Sequence, residues 1–399
     1  MDKEFEIMQK RAQQTPGLMR TNEYIQAKLF KPDLYSMLLE MGPNCNLNCF
    51  HCASDNGGHR RGMPNLETVT RALADALRSS VVKISLTFGE PLRPENRGVL
   101  KPIGKFSEVT PTHIVTNATF AETQESAEEW FHYLRESGFD FSKGMAHMNV
   151  SMGKMYPDSL ERCANILRAV KKVLPYEDIG KFLSFRQIGV YEKQDLDRIN
   201  GLLGAIETTF GKRRIETKKI KNRGREIDVY AYPKKGSSIR IDWVPCYPWG
   251  RALSLGIFEE QFPLRELKPE NLTSGENSCS FAVYSNGDVS FSDCTSDVER
   301  NLPYGNIKEK PLIQILGKIR RDVFFQAYKL GGVALLYHAA QKARPDFTVT
   351  GRSSWDVFNA VVKDKKLVRE IRDYLTKEGV VDSYKRYISA VDMRDIHLV

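Results

Sequence analysis

The chain has 399 residues, is 41% hydrophobic and 27% charged, and carries seven cysteines and a net charge of +9. That length predicts two domains, or one large domain with an extension, of ordinary globular composition. It contains no run of the roughly 20 apolar residues that a membrane-spanning helix needs. The charged start MDKEFEIMQKRAQQ lacks an apolar h-region, which excludes a secretory signal and predicts a cytoplasmic protein.

Residues 1–35 predict a helical lead-in. Short β-rich runs then alternate with amphipathic stretches. Strands are expected at 34–42, 81–91, 112–119, 146–153, 181–191 and 238–246, and helices at 66–77, after 120, at 159–174 and at 194–206. This alternation predicts βαβ units and a parallel sheet. Six strands are too few for a closed eight-stranded barrel. The basic run GKRRIETKKIKNRGRE (211–226) reads either as a solvated hairpin or as a contact surface for an anionic partner. Beyond 252 the pattern changes. CSFAVYSNGDVSFSDC (279–294) alternates around Asn286-Gly287, a hairpin signal, and from about 310 onward the periodicity is helical.

CNLNCFHC (45–52) packs Cys45, Cys49 and Cys52 onto one loop after the first strand. An odd cysteine count in a chain without an export signal points to metal or redox chemistry rather than to a disulfide framework. Thiolates suit zinc, copper(I) or iron–sulfur clusters. Zinc would take a fourth ligand, such as His51 or His59. A [4Fe–4S] cluster held by three thiolates would leave one iron open.

C-x3-C-x2-C after the first strand of a six-strand βα array resembles the radical S-adenosylmethionine (radical SAM) superfamily, with His51 at the position before the third cysteine. The resemblance implies a partial (β/α)6 barrel over 36–252, preceded by the lead-in and followed by a hairpin and helical extension over 253–399. It implies that the amino and carboxylate groups of SAM chelate the open iron. One electron then cleaves the sulfonium, and a 5′-deoxyadenosyl radical takes a hydrogen atom from the substrate. TFGEP (87–91) stands where the family carries G-G-E-P: Gly89, Glu90 and Pro91 match, and Phe88 replaces the first glycine. Its backbone carbonyls would meet the SAM amino group, with Glu90 in support. Asn117, in a T-N-A segment, and Ser151, at the end of the fourth strand, are candidates for SAM contacts. Arg186 and Gln187 are alternatives for its carboxylate, since a one-residue shift reverses the face.

Cys246, at the end of the sixth strand, is a candidate hydrogen-atom donor to a substrate radical, whereas Cys163 reads as a core residue. Cys279, Cys294 and the following YGNIKEKPLIQIL (304–316) resemble the start of a SPASM or twitch extension. The glycine spacing departs from that pattern and no cysteine follows Cys294, so a two-cluster extension is excluded. An auxiliary cluster at Cys279/Cys294 and a metal-free hairpin both stay open, the latter packed by Leu312, Ile315 and Phe324.

The expected function is SAM-dependent radical chemistry on a small metabolite in natural-product biosynthesis. Modification of a ribosomal peptide is the alternative, and a non-catalytic electron-transfer or sensor protein is the rival of another class. The expected partners are a flavodoxin or ferredoxin and the substrate, with no membrane and no nucleic acid.

Overall fold

The computed structural model describes residues 36–41, 45–47, 49, 52, 65–79, 81–153, 156, 158–174, 178–189, 193–211, 215–218, 228–234, 237–245, 265–268, 280–292, 301–351 and 354–382. The lead-in, His51, His59, Cys246, Cys279 and Cys294 lie outside them.

The first half alternates as expected. In chain order come β1 (Ser36–Glu40), α1 (Leu66–Leu77), β2 (Lys83–Thr87), α2 (Arg97–Ser107), β3 (Thr112–Thr116), α3 (Gln124–Glu136) and β4 (Ala146–Met152). There follow α4 (Ser159–Val173), the single turn α5 (Ile179–Phe182), β5 (Leu183–Gly189), α6 (Lys193–Phe210), β6 (Ile215–Lys218), β7 (Asp228–Lys234) and β8 (Ser237–Pro245). Local chemistry fixes several helix starts. Asn65 accepts from the amides of Glu67 and Thr68 at the head of α1, and Thr123 and Ser126 form a reciprocal capping box on α3.

β1 to β5 and β8 pair side by side in parallel, so the six expected strands are adjacent in the expected order. The sheet is open, and its two sides differ sharply. Met37, Leu39, Ile84, Leu86, Ile114, Met148, Val150, Phe185 and Ile241 are fully buried on one side, where the amphipathic helices cover them. The alternate positions are mostly polar and form an inner face, the side a curled sheet encloses.

Antiparallel hairpins extend both margins. The basic stretch contributes β6, which pairs with β7 beside β8; residues 219–227 lie outside the described set. The Asn286-Gly287 hairpin forms as expected, from β10 (Ser280–Val283) and β11 (Asp288–Ser292), with Gly287 at φ 95. Its placement was not legible from the pattern: β10 pairs in parallel with β1, from Ser36↔Ser280 to Leu39↔Val283. Glu40 accepts from the Ser285 amide (2.8 Å) and hydroxyl (2.9 Å), tying the turn to the end of β1. β12 (Gly305–Asn306) closes this margin beside β11, and β9 (Arg265–Leu267) forms a separate pair with β13 (Val349–Gly351).

The rest is helical: α7 (Leu312–Arg321), α8 (Val323–Ala343), α9 (Ser354–Lys363) and α10 (Lys365–Lys377). Leu312, Ile315 and Phe324 are buried in the same core as the βα array, as expected of the packing of a structural hairpin. Asp322 separates α7 from α8. It accepts from the Phe324 amide (3.1 Å), Tyr304 Oη (2.5 Å) and Arg372 Nε and Nη2 (3.0 and 2.6 Å). Cys163 is fully buried in α4, in keeping with a core role.

Candidate active site at the strand ends

Cys45, Cys49 and Cys52 follow the C-terminal end of β1 as half-buried free thiols. The Cys52 amide donates to the Cys49 carbonyl at 3.2 Å. Burial, more than any neighbour, pushes the Cys45 thiol up to about 11. Asn117 fastens the loop to the end of β3. Its Nδ2 donates to Asn46 Oδ1 at 3.0 Å and approaches Cys45 Sγ at 3.8 Å. Its Oδ1 accepts from the Thr119 amide and hydroxyl at 3.0 and 2.7 Å, while Asn46 Nδ2 donates to Thr119 Oγ1 at 2.5 Å. Asn117 is therefore both a turn asparagine bonding its own backbone and a contact of the cysteine loop.

Glu90 sits under this bridge, 1% exposed. Oε1 accepts from the Leu92 amide (2.8 Å) and the Thr116 hydroxyl (2.7 Å), and Oε2 from the Asn117 amide (2.7 Å). Burial raises its carboxyl to about 7 despite these donors. Asn96 Nδ2 donates to the carbonyls of Met41, Glu90 and Pro91, locking the loop that follows β2. Phe88 and Gly89 have φ of 57 and 104. Left-handed backbone at Phe88 costs on the order of 1–2 kcal/mol, which gives the family's glycine there a physical reason. The Phe88 ring is offset by burial against Leu38, Ala282 and Tyr284, with ring centroids 5.8 Å apart in the aromatic pair.

Strand pairing settles the parity of β5. Ser151, Arg186 and Asp242 occupy one row of the inner face. Gln187 takes the other side: its Nε2 donates to Asp195 Oδ1 in the first turn of α6 at 2.8 Å. The proposal of Gln187 as a SAM ligand is corrected on that ground, since its side chain serves the strand–helix layer. Arg186 Nη2 lies 3.8 Å from Asp242, which also pairs with Arg240. Lower on the same face are Lys83, His113, His147, Asn149 and Ser184. The two imidazoles are 5.2 Å apart, and His147 Nε2 and Asn149 Nδ2 both meet Ser184 Oγ, at 2.8 and 3.0 Å.

Sequence reasoning missed Tyr156. Its hydroxyl is hydrogen-bonded to Ser151 and is held well above the usual phenol range, first by burial and then by the three neighbouring thiol groups. GKMYPDSL has no spacing that would have singled it out.

Among the described residues, no three His, Cys, Asp or Glu side chains converge on one point as a single metal ion requires. A cuboidal cluster places a different demand on the chain, because each thiolate binds its own iron. Three thiols grouped about Tyr156 on one short loop fit that demand better than they fit a mononuclear zinc site.

No family profile matches the chain. Two curated proteins, each named probable GTP 3′,8-cyclase, are 24% identical to it: one from Methanococcus maripaludis strain C5 over 132 residues, one from strain C7 over 144. The matched regions cover 33% and 35% of this chain, and the chain spans 40% and 44% of the length of those relatives. Among solved structures, anSMEcpe with bound AdoMet aligns over 88% of this chain and 99% of its own, at TM-score 0.45 and 12% identity. Streptococcus suis SuiB bound to S-adenosylmethionine aligns over 80% and 78%, at TM-score 0.37 and 16% identity.

Proposed function

We infer that this chain, which belongs to the radical SAM superfamily by its cysteine loop, its strand order and its GEP segment, cleaves S-adenosylmethionine reductively and starts radical chemistry on a small substrate. The observation that carries this is the fastening of the C-x3-C-x2-C loop, through Asn117, to the buried Glu90 bridge at the ends of β2 and β3. An electron-transfer or sensor protein has no use for that second, cofactor-facing layer.

Cys45, Cys49 and Cys52 would hold a [4Fe–4S] cluster, which when bound supplies one electron to SAM. Thiol burial opposes ionisation of Cys45, so loading releases a proton from a site that resists losing it. Glu90 fixes the backbone of the loop after β2, whose carbonyls would meet the SAM ammonium. Ser151 and Tyr156 flank the cysteine loop on the β4 side, and Asn117 sets its height above β3. Arg186 faces the inner side, where the substrate would lie at the strand ends. Cys246 is kept as a hydrogen-atom donor for substrates that need one, and the hairpin is proposed to act without an auxiliary cluster at Cys279 and Cys294. The polar lining favours a small metabolite over a peptide, and a flavodoxin or ferredoxin as the electron source.

The test is 5′-deoxyadenosine formation by the anaerobically reconstituted chain with SAM and dithionite. Production by the wild type, and loss in Cys45→Ala, Cys49→Ala and Cys52→Ala, are expected. Sustained production by any of the three overturns the assignment. Iron retained by the triple variant and lost on Cys279→Ala would establish a second cluster.

A further inference from the structure

The inner face below the cysteine loop is cationic in a way that SAM cleavage does not use. Strand pairing stacks its rows. Ser85, His113 and His147 share one level, with Lys83 two residues beneath. Val115, Asn149, Ser184 and Arg240 form the next, and Ser151, Arg186 and Asp242 the one above. Five groups able to carry positive charge thus line one face. On β5 and β8 the carboxylate facing them is Asp242, which pairs with Arg240 and lies 3.8 Å from Arg186 Nη2, and the same rows run on to Asp228 of β7 and Glu216 of β6.

Two polar atoms here lack partners. Arg186 Nε is buried with no acceptor among the described residues. Asn149 is 3% exposed and its Oδ1 has no donor among the described residues, Nδ2 being used on Ser184. Exchanging the amide atoms would leave the nitrogen over instead, so either orientation leaves one polar atom uncommitted. A buried polar atom without a partner costs about 1–3 kcal/mol. Two of them on one cationic wall describe a ligand with an oxyanion for Arg186 and a hydrogen-bonding group beside it for Asn149. The charges also press on His113: burial, then Lys83, His147 and Arg186, keep it well below the usual imidazole range.

We propose that this face binds an oxyanion-bearing small molecule, a phosphate ester or a carboxylic acid with an adjacent hydroxyl or amide, held by Arg186, Lys83 and His113 with Asn149 on the neighbouring polar group. This deepens the radical SAM reading by naming the class of its substrate, and it assigns Arg186 to that substrate instead of to the carboxylate of SAM.

The experiment is calorimetric titration of the reconstituted full chain, without SAM or reductant, using inorganic pyrophosphate and malonate at millimolar concentration in two buffers of different ionisation enthalpy. Binding of at least one probe is expected, with net proton uptake near neutral pH as the imidazoles charge against the anion. Lys83→Met and His113→Gln should each weaken it by about tenfold, the loss of one charged contact, and His113→Gln should also reduce the proton uptake. Pyrophosphate alone binding marks a phosphate ligand, malonate alone a carboxylate. Lys366→Met, on the exposed surface of α10, is the control and should change nothing. If His113→Gln does not fold, Lys83→Met decides, since Lys83 is exposed at the start of its strand. No binding, or binding indifferent to both substitutions, overturns the proposal. Because no SAM turnover is read, loss of deoxyadenosine formation with anion binding intact would fault only the radical SAM reading.

Discussion

Replacing Glu90 by glutamine changes one oxygen to an NH2 group in a pocket furnished with donors. With the amide oxygen at the Oε1 position, Leu92 and Thr116 keep their acceptor, but the new NH2 faces the Asn117 amide. In the opposite orientation Asn117 is served. Thr116 can rotate its hydroxyl to accept, and the Leu92 amide is the one left over. Either way one backbone N–H is buried without an acceptor, at about 1–3 kcal/mol. The expected destabilisation is therefore about 1–3 kcal/mol. Urea unfolding of the metal-free chain measures it, which keeps cluster loading out of the result. The pH dependence has a definite sign. The Glu90 carboxyl is raised from 4.5 to about 7 by burial, so its protonation favours the folded state. That contribution is fully present below about 4.5 and is lost as pH rises through 7. Glutamine has no such titration, so the gap between wild type and variant should be widest near pH 5 and narrower at pH 8. A change below about 0.5 kcal/mol, or a gap that widens towards pH 8, would refute the reasoning.

Four other substitutions probe separate parts of the structure. Phe88→Gly relieves a left-handed residue but removes a buried ring, and at about 1–2 kcal/mol gained against 3–5 lost it should destabilise; faster amide exchange around Tyr284 should accompany the fall in the unfolding midpoint. Gly104→Ala puts a Cβ 2.1 Å from the Ser137 carbonyl oxygen, so a loss of at least about 2 kcal/mol is expected from denaturation curves. Asp322→Ala strips the acceptor from Arg372, Tyr304 and the start of α8 and should cost about 3 kcal/mol by urea titration. His113 is depressed by burial, Lys83, His147 and Arg186, so it favours folding above about 6.5 and that stability is lost as pH falls through its lowered folded value. His113→Gln should flatten the acid limb of the stability profile.

The six βα strands were legible because each exposes a short β-rich run between amphipathic helices, and the cysteine loop because three thiols so close together have few other uses. α2 was not legible: RGVLKPIGKFS contains Gly98, Pro102 and Gly104, which argue locally against a helix. Tertiary packing overrides them, and Gly104 is required by the backbone of Ser137. The choice between Arg186 and Gln187 could not be made from a single strand, because facing is a property of pairing with β4 and β8. The cationic inner face escaped notice for the same reason. Lys83, His113, His147 and Arg186 are far apart along the chain, and each alone reads as an ordinary strand residue. The seat of β10 beside β1 joins strands about 240 residues apart, a pairing that no local pattern reports.

That long-range seat has a consequence for the life of the protein on the ribosome. β1 emerges early, followed at once by the cysteine loop, and β2 can cover only one of its two sides. The other stays an open strand edge until Ser280–Val283 has been made, and such edges invite pairing with the wrong chain. The hydrogen bonds from Ser285 to Glu40, which steady the exit of β1 towards Cys45, are missing for the same interval. The loop of Cys45, Cys49 and Cys52 is meanwhile held at Asn117 and Thr119 but not yet where it leaves β1. Truncations ending before the hairpin should accordingly be recovered as aggregating protein, even though every cysteine of that loop is present.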